Sequence, residues 1–351
     1  MRLPEYRVRL FLSVDLTGST AYKHEKKHSL LWIKAFKTFY ETFPNLLSKH
    51  YSETAQEDRH LSRIERENGF PRLWKTVGDE ILFCCTLTSL CHLGVCIDAF
   101  IKTLIDYGKI AKTYNLDTKG NAWVASFPTP NCSIKPIKSS SGQNENSLPT
   151  EDDEIEVDED PSKFDFLGKG IDAGFRISRN SGINALTISP GLGILLCECK
   201  ELKSISNFDT DIRLISVQEF KGVAKNNLYP VITIDTFRDD SYKKIIDQQR
   251  DLLGQNPEQD FKKLRDYLTD YLKYFKIEIP KVRKLYDDTN FTLPDFYDSY
   301  KEIWNEEFKG IQKEDEQIES SSNIQEENIQ TSTGAQKALK KLESSIPDLP
   351  Q

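Results

Sequence analysis

The chain has 351 residues, enough for one large domain plus an accessory segment, with 38% hydrophobic and 29% charged residues. That balance fits a soluble globular protein: no run of about eighteen apolar residues offers a membrane span. The start, MRLPEYRVRLFLSVDL, lacks the apolar core and cleavage site of a signal peptide, so a cytoplasmic location is expected. The formal charge of −8 is local, because Glu151–Asp160 (EDDEIEVDED) holds eight acids and no base. No basic stripe exists elsewhere, which argues against a nucleic-acid partner.

In chain order, Arg7–Val14 alternates and then turns fully apolar, as a buried central strand does. His28–Leu47 carries Leu31, Ile33, Phe36, Phe39, Tyr40 and Phe43 at helical spacing, and Tyr51–Asn68 reads as loop with some helix. Leu73–Thr86 is two apolar runs around Gly78-Asp79, a β-hairpin. A second helix is expected over Thr88–Tyr107 and a strand over Trp123–Phe127. Ile137–Ser162 has almost no aromatic content and is expected to be a disordered acidic insertion. Order resumes at Phe164 with a helix to about Asn180, then strands near Ala185–Ser189, Ile212–Val217 and Val231–Ile234. The order β-α-β-β-α-β-α-β predicts an α+β sandwich, one sheet covered by helices, over residues 1–236. A helical extension over 237–311 is expected from Tyr242–Leu253, Asp260–Phe275 and Pro294–Phe308. The tail 312–351 reads as disordered, apart from a short helix at Ala335–Leu342. The seven cysteines lack CxxC spacing with histidine partners, so buried free thiols are expected rather than zinc.

Two acids carry the chemistry. Asp15 ends the first strand, and Leu16-Thr17-Gly18-Ser19-Thr20 then turns into a helix, presenting backbone N–H groups to phosphate oxygens. Asp15 alone is equally well a helix cap, and Asp79 alone is a common Gly-Asp turn. Together, a strand-end acid and a hairpin-tip acid can hold two Mg2+ or Mn2+ ions. Such a pair clamps the attacking and leaving oxygens of an in-line phosphoryl displacement.

This pair resembles the metal-binding signature of class III adenylate and guanylate cyclases, an Asp-Ile-x-Gly-Phe/Ser-Thr turn followed by a Lys-Thr-x-Gly-Asp hairpin. The segments are Phe11–Thr20 (FLSVDLTGST) and Lys75–Cys85 (KTVGDEILFCC). Phe164–Arg176 resembles the family's Tyr-Asp-x-x-Gly-x-x-Val-Asn-x-Ala-x-Arg, and Glu219–Val223 its Leu-Lys-Gly strand, so the similarity spans about residues 7–236. The resemblance implies metal binding by Asp15, Asp79 and the Leu16 carbonyl, and phosphate contact by the turn residues 17–20. It further implies charge stabilisation by Arg176 and triphosphate contact by Lys221. Lys75 and Asp165 would read the base, and a head-to-tail homodimer would build composite sites.

Two departures matter. Asp172 stands where the family has asparagine, an acceptor-only group in place of an amide donor. The family's glycine-rich strand-loop is replaced by Ala122–Asn131 (AWVASFPTPN). That stretch, with the helical extension, looks more like the pyrimidine cyclases of bacterial Pycsar anti-phage systems. UTP is then the preferred substrate and cUMP a signal to a separate effector, with CTP and ATP next. Taken literally, Lys75 and Asp165 argue for ATP, although uracil's carbonyls and N–H suit the same pair. Trp74, Phe166 and the aromatics of the Phe36–Phe43 helix are candidates to fill a pyrimidine pocket. A catalytically lapsed homologue stays open because of Asp172; a polymerase palm lacks its basic template channel.

Overall fold

The computed structural model describes residues 1–25, 29–136, 148–202, 208–224, 227–255 and 260–313. Strand β1 (Arg7–Thr17) organises it, pairing antiparallel on both sides with β3 (Glu80–Leu87) and β4 (Asp117–Phe127). Side chains along a strand alternate between faces. Val8, Leu10, Leu12, Val14 and Leu16 therefore enter one core, while Arg7, Arg9, Phe11, Ser13 and Asp15 line the opposite face. With β2 (Arg72–Val77), β7 (Ala185–Ile188), β8 (Ile212–Glu219) and β9 (Leu228–Asp235) the sheet runs β2-β3-β1-β4-β7-β9-β8. Only β4 and β7 pair in parallel within it. Two short strands, β5 (Cys132–Ile134) and β6 (Asp165–Leu167), pair separately.

The even-numbered face of β1 is covered by α2 (Leu31–Glu57), α4 (Leu90–Ala111) and α7 (Pro190–Glu201), whose Phe39, Phe43, Phe100, Leu104 and Leu195 are fully buried. A short helix, α1 (Ser19–Glu25), leads out of β1, and α3 (Arg63–Asn68) starts at a capping box between Ser62 and Glu65. The opposite face carries a smaller aromatic core in which Phe11 stacks on Trp123 at 5.3 Å and meets Trp74, Phe127 and Phe166 edge-on or tilted. This core is closed by α5 (Glu151–Glu159), through Val157, and by α6 (Lys169–Ile177), through Ile171. Beyond β9 come α8 (Asp240–Leu252) and α9 (Phe261–Tyr274), and Leu264, Leu268 and Leu272 of α9 join the larger core against α7.

The α+β expectation holds, but the acidic segment is a correction. Residues 151–163 are folded: α5 begins at a capping box between Thr150 and Asp153. Composition alone shows little apolar surface to bury, but α5 is held by charge. Arg9, 1% exposed on β1, donates to Glu154 at 2.6 Å and to Asp158 at 2.7 Å. Arg7 pairs with Glu151 and, at 3.0 Å, with Asp158. Residues 137–147 of the expected insertion lie outside the described residues. So do 314–351, including the expected helix at 335–342.

Other elements run further than periodicity indicates. Helix α2 continues past Pro44 to Glu57, and β4 begins at Asp117 because its polar residues find partners: Asn121 donates to the Gly174 carbonyl at 2.9 Å. Helix α7 was not anticipated, although Ser189 as N-cap followed by Pro190 is a start signal visible in the sequence. The chain divides into two compact units, residues 1–145 with 149–298, and 146–148 with 299–351. In the second, residues 299–313 are helical. Among the described residues no helix is long and apolar enough to cross a membrane.

Burial alone would raise the Asp158 carboxyl, but the Arg9 and Arg7 charges and the Thr86 hydroxyl outweigh it and hold its pKa below the ordinary value. A depressed folded-state pKa stabilises above the unfolded value and is lost as pH falls through the folded one. Acid titration of stability should therefore show a loss beginning near pH 4 that is reduced in Asp158→Asn. Arg9→Ala leaves the buried Glu154 carboxylate without its cation, while Asp158 keeps Arg7, and should cost roughly 3–5 kcal/mol in denaturant unfolding.

Candidate active site

The β2–β3 hairpin turns at Gly78, whose φ of +64° suits glycine, and the Tyr40 hydroxyl of α2 braces it by donating to the Gly78 carbonyl. The Leu16 N–H donates to the Asp79 carbonyl at 3.1 Å, which fastens the end of β1 to the hairpin tip. Asp15 and Asp79, distant in sequence, are thus brought to one corner of the sheet. Asp15 lies directly opposite Glu80 on β3 and Lys119 on β4. Opposed residues on neighbouring strands project to the same face, so Glu80, Asp15 and Lys119 form a row.

Each acid in this corner has a polar neighbour. Lys119 Nζ reaches Asp15 Oδ2 at 3.0 Å, Ser13 donates to Glu80, and Ser19 donates to Asp79. Burial, partly offset by the Ser13 hydroxyl, and the charges of Asp15 and Asp79 push the Glu80 carboxyl above its ordinary pKa. Gly18, at φ +88°, lets the chain leave β1 for α1. Gly18 and Thr20 are exposed and Ser19 is buried, while Thr17 Oγ1 is buried without a hydrogen-bond partner. The donor set is entirely hard oxygen, carboxylates with hydroxyls and carbonyls, which suits Mg2+ or Mn2+.

A second cluster lies on the aromatic face. Lys75 on β2 and Asp165 on β6 form an ion pair at 2.7 Å, with the Lys75 ammonium 4.1 Å above the Trp74 ring. Trp74 Nε1–H donates to the Phe164 carbonyl at 3.0 Å, which fixes the two strands beside each other. Trp74 and Phe166 are buried beneath this pair as its floor. The α2 aromatics are not part of it: Phe36, Phe39 and Phe43 pack in the core on the opposite side of the sheet. That removes them as candidate pocket fillers.

The third cluster is set by Trp123. Its indole occupies the space of a side chain at residue 174, where a Cβ would stand 2.3 Å from Cδ2, so glycine is what fits there. Helix α6 therefore lies close against β4. Asn131 seats its start, accepting from the Gly170 N–H at 3.0 Å and donating to the Ser126 carbonyl at 3.0 Å. Arg176, at the far end of α6, rests its guanidinium against Gly222, where a Cβ would be 3.2 Å from Nη1. Lys221 is exposed in the turn between β8 and β9 rather than in a strand. Asp172 is exposed on the first turn of α6, on the same helix face as Arg176. Sequence reasoning missed Glu80 and Lys119, and gave Tyr40 as one of the aromatics of the Phe36–Phe43 helix rather than as the brace of the hairpin. Glu80 adjoins Asp79, but Lys119 enters through strand register, for which the sequence carries no local signal.

No protein-family model and no curated protein matches this sequence. Solved structures with a similar layout include the adenylyl cyclase CyaB from P. aeruginosa, 10% identical with a TM-score of 0.44 over 66% of this chain and 95% of that one. The guanylyl cyclase Cya2 gives 10% and 0.41 over 66% of this chain and 92% of that one. The guanylate cyclase domain of RhGC from Catenaria anguillulae, in complex with GTP, gives 10% and 0.39 over 67% and 100%. At these values the likeness is one of general layout.

Lys119 balances the Asp15 charge and would compete with a cation there. Lys119→Ala should tighten Mn2+ binding in the absence of nucleotide by about three- to tenfold, measured by electron paramagnetic resonance. Asp15→Asn should weaken it.

Proposed function

We propose that the chain is a nucleotidyl cyclase of the class III type, converting a nucleoside triphosphate to a 3′,5′-cyclic monophosphate and pyrophosphate. The observation that carries this reading is the joining of Asp15 and Asp79 by the Leu16–Asp79 backbone hydrogen bond, with Arg176 seated beside the Lys221-Gly222 turn. Asp15, Asp79 and the Leu16 carbonyl are the residues to hold Mg2+ or Mn2+, which supplies charge neutralisation of the triphosphate and acidifies the ribose 3′-hydroxyl.

The 3′-oxygen attacks the α-phosphorus in line as the bond to pyrophosphate breaks. Arg176, held by α6, meets the negative charge that develops on the phosphate oxygens, and Lys221 adds a second cation. The Thr17–Thr20 turn faces the phosphates. Asp172 lies one helical turn from Arg176 and has the reach to orient the ribose. The Lys75 ammonium donates to a ring or carbonyl acceptor of the base, and Asp165 accepts from an amino or ring N–H. A homodimer arranged head to tail would complete two such sites, each with the metal acids of one chain and Arg176 of the other.

The base remains a matter of two readings. Resemblance to Pycsar cyclases makes UTP the preferred substrate, cUMP the signal to a separate effector, and anti-phage defence the setting. The Lys75–Asp165 pair, taken literally, suits adenine, whose edge offers an acceptor and an amino donor side by side, and the same pattern on cytosine keeps CTP beside ATP. Purified chain incubated with each of the four ribonucleotides and Mn2+ should yield a cyclic product from one of them. No product from any would overturn the cyclase reading in favour of a lapsed homologue, and cAMP alone would overturn the pyrimidine one.

Asp79→Ala should lower turnover by at least about 1,000-fold, and Arg176→Ala by about 100- to 1,000-fold, with circular dichroism unchanged. Because composite sites draw on both chains, mixing these two inactive variants should restore about a quarter of the parent activity, half the dimers being mixed and each holding one intact site.

A further inference from the structure

Apart from the oxygen-lined corner, the described residues bring together a group of soft ligands. Cys85 on β3 and His92 and Cys96 on the first two turns of α4 offer ligand atoms that all lie within 4.8 Å of one another. The spacing, Cys-x6-His-x3-Cys, does not follow a CxxC pattern, which is why the cysteines read as unrelated thiols. The α4 helix places His92 and Cys96 on one face, four residues apart, and β3 delivers Cys85 opposite them. The Cys85 and Cys96 sulfurs are 3.9 Å apart. Two thiolates bound at about 2.3 Å to one tetrahedral ion stand about 3.8 Å apart.

The polar neighbours of His92 suit a ligating imidazole. Thr88 Oγ1 lies 2.6 Å from Glu65 Oε1 and 3.1 Å from His92 Nδ1, and the Thr88 backbone N–H donates to Nδ1 at 3.4 Å. A hydroxyl has one proton, and the carboxylate takes it in the stronger, charge-assisted bond. In the free chain Nε2–H then donates to the Gly69 carbonyl oxygen at 2.7 Å. A cation at Nε2 takes the place of that proton, which passes to Nδ1 and is donated to the Thr88 hydroxyl oxygen. Gly69 is what allows the approach: a Cβ there would come within 2.6 Å of Nε2 and 2.5 Å of the Tyr51 hydroxyl. In the loaded form the chain from Nδ1–H through the Thr88 hydroxyl to Glu65 is the outer support of a ligating histidine.

We propose that Cys85, His92 and Cys96 bind one soft divalent cation, Zn2+ in class, through two sulfurs and Nε2, with the Gly69 carbonyl or a water as fourth ligand. His92 and Cys96 are fully buried while Cys85 is half-exposed, so β3 provides the entry side. Binding exchanges two thiol protons for the ion, leaving a buried site of zero net charge: two thiolates, one neutral imidazole and one dication. The site would lock β3, which carries the Asp79 hairpin, to the start of α4 and the segment after α3. That role is structural and separate from the oxygen-ligated corner at Asp15 and Asp79.

The test uses Co2+ as a spectroscopic probe and Zn2+ as competitor, on the reduced full-length chain. One thiolate-bound cobalt per chain is expected, with a thiolate-to-cobalt charge-transfer band that Zn2+ abolishes and that no carboxylate site produces. Cys85→Ser, at the half-exposed ligand, should weaken binding by at least about 100-fold, while Cys132→Ser should leave it unchanged. An absent charge-transfer band would overturn the site, as would a band unaffected by Cys85→Ser. A mass two hydrogens lighter under air, reversed by dithiothreitol and with no metal uptake after reduction, would assign the pair to a disulfide instead.

Discussion

The buried guanidinium of Arg9 is the constraint on which the outer face of the sheet depends. A cation in the middle of a central strand is costly to desolvate, and it is tolerated when its donors are met by acids held in place. Here the acids arrive on α5, whose Glu154 and Asp158 take up Arg9 while Glu151 takes up Arg7. The Arg9 guanidinium also lies 4.8 Å over the Phe127 ring, so the same cation joins the charged layer to the aromatic one. Without that joint α5 keeps Val157, the Arg7 pairs with Glu151 and Asp158, and the Thr86 hydroxyl on Asp158, but Glu154 is left buried without a cation.

From Arg9 the order passes along β1. Two residues on, Phe11 stacks on Trp123, and Trp123 sets how near α6 can lie. Glycine at position 174 is the complement of that indole, and the Asn121 amide bonded to the Gly174 carbonyl fixes the helix along its length. Among the described residues Arg176 has no ion pair, and packing two residues away aims it. A guanidinium held in this way keeps its donors available for an incoming anion, which is the property the proposed reaction asks of it.

At the far end of β1 the chemistry changes because the core gives way to solvent. Asp15 is flanked by an acid with a raised pKa and by a lysine, so the corner holds a balance of charge that a metal–nucleotide complex would reset. Between the two ends, Cys85 on the strand next to β1 meets His92 and Cys96 of α4, where the soft-cation site is proposed.

The local sequence determined many of the elements and marked the candidate site residues. Alternation fixed β1, the Gly78-Asp79 turn fixed the hairpin, and helical spacing fixed α2 and α4, since each signal is written within a few residues. The Asp15–Asp79 pair, Arg176 and the Lys75–Asp165 pair were legible for the same reason, as short motifs in a set order. The tertiary structure alone decided which face each residue joined. It folded the acidic run onto Arg7 and Arg9, where composition had pointed to disorder, because the compensating charges lie about 145 residues away in the chain. It excluded Phe36, Phe39 and Phe43 from the base cluster by burying them on the other side of the sheet. And it set Lys119 beside Asp15 through strand register, a relation between segments that neither segment encodes by itself.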